Sequence, residues 1–140
     1  MENRKWEEAA TSSAKIRDFV DLETYQVARE LRKDAYRISA GFPKNETFGL
    51  TSQVRRAAIS VTANIAEGFG RFSYQENMQF CRQSRASVYE LRDHFTTAAD
   101  QGYISGDQFS QLNAKAFSVI RLLNGYIRAT KARKEAQGQG

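Results

Sequence analysis

Phe109, Leu112, Ala116, Val119, Leu123 and Tyr126 recur at alternating steps of three and four residues. That spacing gathers all six on one stripe of an α-helix and would scatter them over both faces of a strand. A helix with one apolar stripe is stable only if the stripe is covered by other elements. The chain supplies three more of the same kind. Thr24, Val27, Ala28, Leu31, Ala35 and Ile38 define the first, and Val54, Ala57, Ala58, Val61 and Ile65 the second, which begins near Leu50. Phe80, Ser84, Ser87 or Val88, Leu91, Phe95 and Ala98 define the third. The sequence has a single proline among 140 residues, and its nine glycines sit mostly at the ends of the periodic segments. Proline and glycine are the residues that interrupt helices, so this placement favours a few long ones.

Local signals mark the boundaries. Asp21 or Glu23 can open the first helix, and Gly41-Phe42-Pro43 stops it. Gly68 and Gly70 are expected to supply the unusual dihedrals of a helix end and turn. Ser73 followed by Glu76, and Ser105 followed by Gln108, are capping-box patterns that start the third and fourth helices. With short connections, neighbouring helices are expected to run antiparallel in an up-down-up-down four-helix bundle. The reading is therefore all-α, with one domain at 21–130, a flexible N-terminal arm at 1–20 and a basic disordered tail at 131–140. Trp6, Ile16, Phe19 and Val20 are the arm residues suited to docking.

The chemical inventory is narrow. Cys81 is the only cysteine and His94 the only histidine, four residues after Glu90 on one helix face. A histidine so placed pairs with the carboxylate more readily than it serves catalysis. No Glu-x-x-His pair of the di-iron bundles is present, and Gly68-Phe69-Gly70 lacks the lysine and strand of a phosphate loop. The expectation is a protein without enzymatic activity, cofactor or metal. No stretch approaches the roughly 20 apolar residues of a membrane span, and no signal-peptide pattern opens the chain, so a cytoplasmic location is expected.

The net charge is +5, but residues 28–140 hold 17 basic side chains against 10 acidic ones. A basic body is compatible with a polyanionic partner. Tyr25, Arg29, Arg32 and Tyr36 share a stripe of the first helix, read as lying roughly opposite its core face. Such a stripe can stack on bases and neutralise phosphates, or can form a subunit interface. The candidate nucleic-acid contacts are Arg29, Arg32, Lys33 and Arg37, with Lys131, Arg133 and Lys134 of the tail. On the second helix Gln53, Arg56, Ser60, Asn64, Glu67 and Arg71 form a polar line about 120° from the apolar one. With Arg85 and Glu90 they are expected to build a hydrogen-bonded network between helices or subunits. A binding pocket at Asn64 and Glu67 is the alternative, and a reaction centre at Glu67 has neither a partner base nor a metal set.

Specific motifs add a resemblance. Asp21-Leu22, Phe42-Pro43-Lys44-Asn45-Glu46, Gly49-Leu50-Thr51-Ser52-Gln53, Arg55-Arg56-Ala57-Ala58, Ser60, Asn64-Ile65-Ala66-Glu67-Gly68 and Arg71 together resemble the bacterial four-helix-bundle family of 23S ribosomal RNA intervening-sequence proteins. The match runs from about Phe19 to Ile127. Tyr25 stands where that family often has tryptophan, and Ser84-Arg85-Ala86-Ser87-Val88-Tyr89-Glu90-Leu91 replaces its Ala-Arg-Gly-Ser-x-x-Glu-Leu. The resemblance implies a homo-oligomer, a pentameric ring. It also implies distant kinship with the accessory protein of diversity-generating retroelements, which partners a reverse transcriptase and binds nucleic acid. RNA or DNA and a protein partner are thus both expected candidates.

Overall fold

The computed structural model describes residues 15–138. Its four α-helices are α1 (Glu23–Ser39), α2 (Leu50–Phe69), α3 (Tyr74–Asp100) and α4 (Gly106–Ala136). No strand occurs among the described residues, and no helix is long and apolar enough to cross a membrane.

The start of the described chain is anchored. Ile16 is buried in the core, and a 3-10 turn follows at Phe19–Asp21. Asp18 accepts a hydrogen bond from Phe19 N, while the Asp21 carboxylate accepts from Arg17 N and Asp18 N. This reciprocal cap holds Phe19 edge-on to Tyr25, with ring centroids 4.8 Å apart. Residues 15–20, placed in a loose arm by sequence, are therefore tied to the bundle; the suggested docking of Trp6 lies outside the described residues.

The other connections are short and specifically bonded. A second 3-10 turn, Lys44–Glu46, follows Pro43. Glu46 then accepts from Leu50 N, the first residue of α2, at 3.0 Å and from the Tyr103 hydroxyl at 2.8 Å. One carboxylate thus caps a helix and ties the α1–α2 connection to the α3–α4 connection. These two bonds hold the Glu46 carboxyl below its ordinary value, and the bond to Glu46 raises that of Tyr103. Ser73 accepts from Glu76 N at the start of α3, and Ser105 and Gln108 cap α4 reciprocally.

Two boundary expectations need correction. The segment from Lys131 is the last part of α4, which stays helical to Ala136. Alanines at 129, 132 and 136 favour helix, and Arg133 and Lys134 suit the negative end of its dipole. Lys134 is also held by the Gln75 side chain at 3.0 Å. Gly68 and Gly70 have no positive φ; among described residues only Gly102 and Gly138 do. Gly68 lies inside α2, where an added Cβ would come within 2.9 Å of Phe80 Cβ and 3.0 Å of Asn77 Oδ1. Its role is close helix approach.

α1 packs on α2 and α4, α2 on α3, and α3 on α4. Paired positions run in opposite senses: Arg56 with Glu90 and Ser60 with Ser87, then Arg92 with Asn113 and Arg85 with Asn124. The space enclosed is filled by Leu31, Val54, Val61, Val88, Leu91, Phe95, Val119 and Leu123, each under 2% exposed. Full burial of one such side chain contributes about 1.5–3 kcal/mol. Buried polar groups are paired: Ser84 donates to the Val61 carbonyl at 2.7 Å, and Asn77 donates to the Tyr126 hydroxyl at 3.2 Å. Burial pushes the Cys81 thiol up to about 12 and raises Tyr126 well above its ordinary value.

Candidate nucleic-acid interface

Two turns of α2 carry the polar line onto the flank that meets α3. Arg56 chelates Gln53 Oε1 through Nε and Nη2 and pairs with Glu90, which also bonds His94 Nε2 at 3.1 Å. Burial opposes ionisation of Glu90, yet the His94 bond and the Arg56 charge bring its carboxyl below the ordinary range. One helical turn away, Ser60 and Ser87 bond across the helices at 2.8 Å, and Asn64 Nδ2 donates back to the Ser60 carbonyl. This part of the expected network forms between α2 and α3.

Two expected members lie elsewhere. Glu67 pairs with Arg71 on the same helix at 2.9 Å, and the Arg71 guanidinium lies over the Phe80 ring. Arg85 turns to α4 and donates to Asn124 Oδ1 at 2.6 Å. Asn64 bonds back to Ser60 on its own helix. No group of three potential metal ligands occurs among the described residues.

The α1 stripe sits on a flank rather than opposite the core. At 100° per residue it is displaced by about a quarter turn from the Ala28–Leu31–Ala35 line, which directs it to α2. Tyr25 is only 8% exposed. Arg32 donates to Thr62 Oγ1 at 2.8 Å, and Arg55 of α2 covers the Tyr36 ring while donating to Ser39 Oγ. The remaining nominated cations divide. Lys33 pairs with Glu30, and Arg37 pairs with Asp34, which also takes Lys115 of α4. Asp34, Arg37 and Lys115 line a cleft of about 450 Å³ between α1 and α4, so its one carboxylate already has two cations. Arg29 and Lys131 are exposed.

A further basic face arises where α3 meets α4, and the sequence reading missed it. From Gln108 to Lys134 the last helix has six basic residues and no acidic one. That run was legible. Its juxtaposition with α3 was not, because it depends on which flanks of two helices meet. Arg92 lies between the rings of Tyr89 and Phe117, at 5.2 and 4.2 Å from their centroids, and donates to Asn113 Oδ1 at 2.9 Å. Tyr89 is 50% and Phe117 41% exposed. Phe117, Arg121, Asn124, Arg128 and Lys131 follow at helical steps along the same flank of α4.

The architecture defines an all-α, four-helix protein with a basic and partly aromatic outer face. Residues 20–125 match the model of the 23S rRNA-intervening sequence protein family, and the chain belongs to that family. Its fold is similar to the crystal structure of a protein with unknown function from the S23 ribosomal protein family of Bacteroides thetaiotaomicron. The TM-score is 0.67 at 18% identity, covering 74% of this chain and 97% of that one. No curated protein matches the sequence.

Proposed function

We propose that this protein is a non-enzymatic nucleic-acid-binding module: an up-down-up-down four-helix bundle that works in the cytoplasm as a homo-oligomer, a ring of five copies. The observation that carries the binding reading is the carboxylate-free run of α4 from Gln108 to Lys134 beside the arginines of α3. Lys115 of this run pairs with Asp34 of α1; the others can attract phosphates through release of condensed counterions, and repeated copies multiply the effect by avidity. The opposed order of paired positions between successive helices supports the up-down course. For assembly, the outward side of α2 offers exposed Ser52, Ile59 and Ala63, small or apolar groups that another copy can approach closely. A lone buried cysteine suits a reducing compartment.

The test is a titration of nuclease-treated protein, its mass fixed by light scattering, against structured RNA, duplex DNA and single strands at two salt concentrations. Micromolar binding that weakens steeply with salt is the expected result; absence of binding at low salt overturns the reading. A scaffold for a protein partner is the second reading. It is favoured by Ile59, 45% exposed on α2, and by the engagement of Arg32, Lys33, Arg37 and Lys134 within the chain. Capture of a defined protein partner that survives nuclease and high salt, lost on Ile59→Asp, would support it.

A further inference from the structure

Neutral groups hold the arginines of the α3–α4 face, as they hold Arg32 and Arg55 between α1 and α2, but here two exposed rings stand among the cations instead of one. Arg56, Arg71 and Arg37 each pair with a carboxylate, which cancels much of their field. Arg85 and Arg92 are instead oriented by the amide oxygens of Asn124 and Asn113. A neutral acceptor fixes the guanidinium without neutralising it, so the charge stays available in a set direction. Arg121 is likewise held by a hydroxyl, that of Ser118, at 3.3 Å. Asp93, one turn beyond Tyr89, and Asp100, two turns further along α3, are exposed carboxylates towards its edge.

Between these cations stand two half-exposed rings, Tyr89 and Phe117, spaced by the Arg92 guanidinium. Flat apolar surfaces set among uncancelled positive charges match a ligand that is at once a polyanion and a carrier of open π-faces. Duplex nucleic acid offers only the first property, since its base faces are covered by their neighbours. Single strands offer both, and stacking on aromatic side chains tolerates any base.

We infer that the α3–α4 face, centred on Tyr89, Arg92 and Phe117, binds single-stranded RNA or DNA, with the rings stacking on bases and Arg85, Arg121 and Arg128 meeting phosphates. This rests on the nucleic-acid reading above and adds the strand state and the site.

The experiment compares the full chain with two double variants, by fluorescence anisotropy, on a fluorescein-labelled 16-mer of uridine and on a fully paired RNA duplex of equal length. Y89L/F117L keeps apolar bulk over Arg92 but removes the flat rings; it should bind the single strand about tenfold more weakly with an unchanged salt slope. R121Q/R128Q should lower the slope by about 1.4 on the single strand. The native chain should prefer the single strand, and photocrosslinks from a 4-thiouridine 16-mer should map to peptides containing Tyr89 or Phe117. The crosslinks keep the site testable even if a variant folds poorly. Equal or tighter duplex binding, or crosslinks confined to α1, overturns the inference while leaving nucleic-acid binding standing. Binding of neither probe at low salt overturns both, as does a face that takes only a protein partner.

Discussion

Gly68 illustrates how one residue can be read correctly as constrained and wrongly as to cause. Sequence proximity to Gly70 suggests a turn, yet its backbone is ordinary helix and the constraint is the 2.9 Å that an added Cβ would leave to Phe80 Cβ. Gly68→Ala should force α2 and α3 apart locally and cost about 1–3 kcal/mol in denaturant unfolding; a stabilised variant would show that the helix-propensity gain outweighs the clash. Glu46 acts at the same scale. Its lowered carboxyl means that the stability it contributes is present above the unfolded value of about 4.3 and is lost as pH falls through the folded value. Tyr103 has the opposite sense: its raised hydroxyl loses the bond only as pH climbs through the folded value. Thermal melts of Glu46→Gln should therefore fall below the native chain near neutral pH, with the gap closing as pH falls below the ordinary carboxylate range. A gap independent of pH would assign the loss to something other than the carboxylate.

At the scale of elements, α4 is the longest of the four helices. It packs on both α1 and α3, and its first turn is closed by the Ser105–Gln108 box. Removing the cap with Ser105→Ala should cost about 1 kcal/mol in unfolding free energy. Hydrogen exchange of the first amides of α4 should speed up while its central turns stay protected. An unaltered stability would mean that packing of Ile104 and Leu112 alone fixes the helix start. The other end of α4 shows why a basic run is not by itself a tail. Lys131 to Lys134 read as charged and flexible, but strong helix formers and a favourable dipole carry the helix to Ala136.

For the whole molecule the relevant quantity is the distribution of charge. The excess of basic residues after position 28 is divided by folding: part is paired within the chain and part collects along α3 and α4. Replacing Lys131, Arg133 and Lys134 together by glutamine should lower the salt slope of RNA binding by up to about 2.1–2.7, since each lost phosphate contact removes roughly 0.7–0.9. Far-ultraviolet circular dichroism on the same variant checks that α4 remains helical. An unchanged slope would confine the phosphate contacts to the face nearer Arg121. In a homo-oligomer this loss repeats in every copy, so the effect should grow with the number of subunits engaged.

The sequence by itself determined the four helices, their approximate ends apart from the last turns of α4, most of the core and the family. Each of these rests on short-range information: helical periodicity, caps read within four residues, and contiguous motifs such as Asn64 to Gly68. It also anticipated the His94–Glu90 pair, which spans a single turn. Tertiary structure alone decided which flank meets which. It turned the Tyr25–Tyr36 stripe onto α2, where Tyr25 is buried, and sent Arg85 to Asn124 instead of the α2 network. It also placed Phe117 against Arg92, a residue 25 positions away. The physical reason is that helical spacing fixes angles around each axis but not the rotation of one axis against another. That rotation is set by ridge-and-groove packing of the filled core, including close approaches such as the one at Gly68.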